Sequence, residues 1–78
     1  MIKKTEKLVI TFYTTTAAMA MERICKDSGT DGRLIPVPRT ITAGCGLCWS
    51  APLESRKALE DGVMEAHITI SGIYTILL

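Results

Sequence analysis

The sequence predicts an α+β fold in which two helices alternate with four strands in the order βαββαβ. Three observations carry that expectation. A β-rich segment stands near each end of the chain, at Lys7–Tyr13 and Ile68–Leu77. Apolar residues recur with helical spacing after Thr16 and again after Pro52. Between those two helical stretches lie two short β-rich runs, separated by a loop containing Pro38 and Gly44.

Taken in order, Lys7–Tyr13 alternates Leu8, Ile10 and Phe12 against Val9, Thr11 and Tyr13, as a strand buried on one face does. Thr14, Thr15 and Thr16 offer hydroxyl caps, and Ala17, Ala18, Met21, Ile24 and Cys25 form an apolar helical stripe that ends at Ser28-Gly29. Arg33–Val37 reads as a second strand. Pro36 and Pro38 cannot donate to a ladder, so they place its end at a sheet margin. Leu47–Ser50 is a third strand, and Ala51-Pro52 opens a second helix with Glu54 in its first turn. That helix is expected over Leu53 to about Ala66, running through Gly62 because Leu59, Val63 and Ala66 continue its stripe. The tail Ile68–Leu77 is the fourth strand, with Gly72 a candidate bulge.

This order fits a ferredoxin-like four-stranded antiparallel sheet with both helices on one face. The other face is then expected to be open. Val9, Thr11 and Cys48 fall on it, an apolar set suited to pairing with a second copy of the chain or another partner.

A chain of 78 residues has room for one domain, here 1–78. Acids and bases are interspersed and the net charge is +1, which argues against the basic stripe of a nucleic-acid binder. No apolar run approaches the roughly 18–20 residues that cross a bilayer, so no membrane partner is expected. The start Met1-Ile2-Lys3-Lys4 followed by Leu8-Val9-Ile10 mimics an export signal, but Glu6 and the threonines from Thr11 to Thr16 interrupt it. Three cysteines cannot be fully paired within one chain, and a reducing, cytoplasmic setting with free thiols is the expectation.

The chemistry concentrates at Cys45-Gly46-Leu47-Cys48. A nucleophilic cysteine must be accessible and must have its anion stabilised. Arg39 and the backbone N–H groups of Thr42, Ala43 and Gly44, together with Gly46 beside the sulfur, are candidates for that role around Cys45. The plain alternative is a small loop residue next to a solvated arginine.

Cys48 is a candidate resolving thiol. Its partnership with Cys45 depends on backbone shape, since residues three apart in an extended strand are about 10 Å apart and a disulfide usually needs about 4.4–6.8 Å between Cα atoms. A turned backbone would instead allow a redox couple.

Cys25, Cys45, Cys48 and His67 could in number supply a zinc site. Cys25 reads more simply as core on its helical stripe, and His67 as a residue at a helix end, so no metal or other cofactor is expected. Met19, Met21 and Trp49 read as packing residues. No Ser/His/Asp set, carboxylate pair or phosphate-binding Gly-rich loop is present, which removes the usual basis for hydrolase or kinase chemistry.

The stretch Arg33-Leu34-Ile35-Pro36-Val37-Pro38-Arg39-Thr40-Ile41-Thr42, followed by Cys45-Gly46 and closed by Gly72-Ile73-Tyr74, resembles a family of short bacterial proteins described as selenium/sulfur carrier-like. Thr11-Phe12 ahead of the first helix is similar to that family as well, and the resemblance covers nearly the whole chain. It implies a carrier in which Cys45 holds sulfur or selenium as a persulfide or selenosulfide. The partners implied are a donor protein and an acceptor protein, and the role is that of a stoichiometric carrier rather than a catalyst. Cys48 stands where a small residue such as Ala is usual in the family. The Cys-Pro motif of other sulfur-relay proteins is absent. A protein-interaction domain without thiol chemistry is the competing class.

Overall fold

A computed structural model describes residues 6–38, 41 and 45–77. The elements are β1 (Glu6–Phe12), α1 (Thr15–Ser28), β2 (Arg33–Pro36), β3 (Leu47–Pro52), a short 3₁₀ turn (Leu53–Ser55), α2 (Arg56–Glu65) and β4 (Ile70–Leu77). The strands form one sheet in the order β2-β3-β1-β4, and every adjacent pair is antiparallel. The architecture is α+β, and its element order is consistent with a ferredoxin-like arrangement.

Strand alternation sorts the side chains. Leu8, Ile10 and Phe12 of β1 and Trp49 and Ala51 of β3 share one buried cluster with Ala18, Met21 and Cys25 of α1 and Leu59 of α2. Each fully buried Leu, Ile, Phe or Met contributes about 1.5–3 kcal/mol relative to an exposed one, so this layer is the main source of stability. Helix α1 begins where Thr14 Oγ1 accepts from the N–H of Ala17 at 3.1 Å and ends at Gly29, whose N–H donates to the carbonyl of Cys25. Helix α2 runs through Gly62, as the apolar stripe predicts. A β-carbon there would come 3.3 Å from Ile24 Cδ1, so the missing side chain brings the two helices together.

Four expectations are corrected. Ala51 and Pro52 belong to β3, not to the second helix: Pro52 is extended at φ −61° and ψ 148° and pairs with Lys7, and the end of a ladder tolerates a residue that cannot donate. The first turn after it is 3₁₀, and α2 begins only at Arg56. Strand β4 starts at Ile70, two residues later than expected. Its irregularity falls at Ser71, since Thr11 pairs with Gly72 while Phe12 pairs with Ile70.

The fourth correction concerns the second sheet face. Val9, Thr11 and Cys48 do lie on the side away from the helical cluster, but each is 0% exposed. They sit on the two inner strands, and the ring of Tyr74 lies along β4 over Gly72, the cross-strand partner of Thr11. These three residues therefore do not form a solvent-facing patch.

Candidate functional site

The three cysteines are all unpaired, and the fold separates them by burial. Cys25 lies on the inner face of α1 at 3% exposure, as its place on the apolar stripe predicts. Cys48 is fully buried on β3, between Thr11 on one neighbouring strand and Ile35 on the other. Cys45 is half-buried, just ahead of β3.

The local backbone explains the position of Cys45. Gly46 turns the chain at φ 78°, a left-handed conformation that glycine adopts without the steric penalty other residues carry. Its carbonyl accepts from the N–H of Val37 at 3.0 Å, which ties the turn to the end of β2. The Cys45 thiol donates to the carbonyl of Leu47 at 3.3 Å, and this bond fixes the direction of Sγ. Its side chain packs against the helix-side cluster, as do those of Leu47 and Trp49.

Cys48 belongs to the opposite face of the sheet, so the strand backbone lies between the two sulfurs. The segment is turned rather than extended at Cys45-Gly46, yet the two thiols remain separate. Burial pushes the Cys48 thiol up to about 11, and the negative charge of a nearby Cys45 thiolate adds to the effect. Burial also raises Cys25. Both interior thiols thus hold their protons through the neutral range.

Of the sequence-predicted surroundings of Cys45, only Gly46 lies among the described residues. Arg39, Thr42, Ala43 and Gly44 fall outside them. The β1–β3 register runs from Lys7 opposite Pro52 to Thr11 opposite Cys48, so the segment that leads into β3 lies at the end of the sheet where β1 gives way to α1. Thr14 is the N-cap of α1, and no acidic residue occupies the first turn of that helix. Cys45 therefore lies at the end of the sheet where α1 begins, the end toward which the positive pole of that helix is directed.

Among the described residues no group of three or more His, Cys, Asp or Glu side chains is placed to hold a metal ion. The four-ligand zinc alternative is not assembled: Cys25 lies under α1, Cys48 lies on the far face of the sheet, and His67 is exposed after α2. No helix among the described residues is long and apolar enough to cross a membrane.

Fold and site together define a small α+β protein with two sequestered thiols and a third one at the sheet margin. The family described as "Putative Se/S carrier protein-like" matches residues 7–75, and the chain belongs to that family. No curated protein and no solved structure matches it.

Proposed function

We propose that this chain carries sulfur or selenium on Cys45, displayed by a ferredoxin-like frame. The observation that carries the reading is the sorting of the thiols: two are buried with raised pKa values, and the one before Gly46 is half-buried and oriented at a turn. Membership in a family described as selenium/sulfur carrier-like supports it.

Loading requires no external oxidant or reductant. The Cys45 thiolate attacks the terminal sulfur of a donor's cysteine persulfide. The donor S–S bond breaks, its electron pair leaves on the donor cysteine, which takes up a proton, and a new S–S bond joins Cys45 to the transferred atom. Selenium carried as a selenosulfide follows the same balance with one Se–S bond formed and one broken. Unloading is the reverse step with an acceptor thiol or other nucleophile, and Cys45 is the leaving group. The α1 dipole favours negative charge at that end of the sheet. This reading gives Cys48 a packing role, because it is enclosed on the other face.

The partners are thus a donor with a persulfide or its selenium counterpart, and a nucleophilic acceptor. Mass spectrometry after incubation with a cysteine desulfurase and cysteine tests the reading. The expected result is one added sulfur on the wild-type chain, mapped to Cys45 and absent from Cys45→Ser. Equal loading of Cys45→Ser, or no loading from sulfur and selenium donors alike, overturns it.

A further inference from the structure

The hydrogen bond that orients Cys45 depends on a proton. The Cys45 thiol donates to the carbonyl of Leu47 at 3.3 Å, and a carbonyl oxygen only accepts, so the bond exists only while Sγ carries hydrogen. Left-handed Gly46, at φ 78°, turns the chain so that the side chain at position 45 reaches the carbonyl two residues on. Cys45 is half-buried, with its packed side against the helix-side cluster.

Loading replaces that hydrogen with a much larger atom. A sulfur stands about 2.05 Å from the sulfur that holds it, and the Leu47 oxygen is 3.3 Å from Sγ. Placed along the direction of the thiol hydrogen, the new atom would overlap that oxygen. Selenium, larger still, would overlap it further. The transferred atom must therefore take another staggered position about the Cβ–Sγ bond, or Sγ itself must rotate about the Cα–Cβ bond. Either movement gives up the bond to Leu47. The thiolate that attacks the donor has no hydrogen to give, so the bond is absent in that form as well.

We propose that the Cys45–Leu47 bond is a latch, closed in the empty, protonated carrier and opened by loading, so that the transferred atom is held on a loosened turn and directed away from the Leu47 carbonyl. For the identity of the load this rests on the carrier reading. With the latch open, the turn keeps its tie to β2, where the Val37 N–H donates to the Gly46 carbonyl at 3.0 Å, but loses the tie that Cys45 supplied. A donor and an acceptor thus meet two shapes of the same turn, and the loaded chain differs from the empty one by more than a single atom.

Nuclear magnetic resonance on the full chain tests the latch with three forms of Cys45: the free thiol, the form loaded by a cysteine desulfurase and cysteine, and the methylthio form made with methyl methanethiosulfonate. In the last reaction the Cys45 thiolate attacks the divalent sulfur of the reagent, a new S–S bond forms and methanesulfinate leaves. The carbon-13 resonance of the Leu47 carbonyl reports the bond, and amide hydrogen exchange at Val37 reports the turn. In the methylthio and loaded forms the carbonyl resonance should move in the same direction, and Val37 should exchange about two- to tenfold faster than in the free thiol. Cys45→Ala, which has no donor, should show both changes without any load, whereas Cys45→Ser, whose hydroxyl donates, should stay closer to the free thiol. A chain that no donor loads overturns the carrier reading, and the methylthio form and Cys45→Ala still decide the latch. A Leu47 carbonyl resonance unmoved in the methylthio form, or Val37 exchange unchanged in both that form and Cys45→Ala, overturns the latch.

Discussion

Gly32 lies against the indole of Trp49 so closely that a β-carbon at this position would sit 2.7 Å from Trp49 Cε2 and 2.8 Å from the carbonyl oxygen of Ser50. The backbone there has φ 128°, a region that side chains rarely occupy. Trp49 is 3% exposed and its Nε1–H has no hydrogen-bond partner among the described residues. An unmet buried donor costs about 1–3 kcal/mol, so the ring is held in place by packing. Gly32→Ala should therefore destabilise the protein by about 2–4 kcal/mol through overpacking and backbone strain together. Gly46→Ala, with left-handed backbone but no packing atom of the described residues within 4 Å of its β-carbon, should cost only about 1 kcal/mol. Urea denaturation of the two variants measures the difference, and equal losses would show that the Trp49 contact contributes nothing.

The contrast between Gly32 and Gly46 also marks how far sequence carries. The alternation of Leu8, Ile10 and Phe12, the threonine cap and the apolar stripe of α1 were legible because each is a local pattern with its own period. The end of β3 was not, because Pro52 has the same preferred φ in an extended strand as in the first turn of a helix. Pairing with Lys7, a residue 45 positions earlier, decides between them. The enclosure of Val9, Thr11 and Cys48, all on the two inner strands, was equally hidden, since alternation shows which face a residue takes but not what covers that face. At the site, the sequence left the backbone at Cys45-Gly46 open between extended and turned, and the left-handed Gly46 decides it. That the same end of the sheet holds the start of α1 follows only from strand register.

The raised thiol of Cys48 links stability to pH. Its pKa is 9.0 when exposed in the unfolded chain and about 11 in the fold, so the folded state binds the proton more tightly. The stability this contributes is complete below pH 9 and declines as pH rises toward 11, because the unfolded chain ionises first. The loss from Cys48 is about 2–3 kcal/mol at full effect. Cys25, also raised by burial, acts in the same direction. Urea midpoints of the wild type should fall between pH 8.5 and about 11 more steeply than those of Cys48→Ala. Parallel curves would remove Cys48 as the source.

Thiol modification should follow the same sorting of burial. Under native conditions near neutral pH, one equivalent of iodoacetamide is expected to react at Cys45, with Cys25 and Cys48 labelled at least about a hundredfold more slowly, through opening of the fold. In denaturant all three should react at similar rates. Peptide mapping after short exposure distinguishes the sites, and native labelling of Cys48 as fast as Cys45 would show that the second sheet face opens readily.

Thr14 joins the start of α1 to the end of the sheet that holds Cys45, and its two contributions can be separated. Its Oγ1 satisfies the N–H of Ala17, so Thr14→Ala should lower stability by about 1 kcal/mol, whereas Thr14→Ser, which keeps the hydroxyl, should lower it by only a few tenths. Without the cap the first turn of α1 frays, and the ordered N–H groups and dipole at that end of the sheet are lost with it. The alkylation rate of Cys45 should then fall in Thr14→Ala and recover in Thr14→Ser, at a urea concentration too low to unfold either. A loss of stability with no change in the rate at Cys45 would confine Thr14 to capping and would place the sulfur outside the influence of the helix.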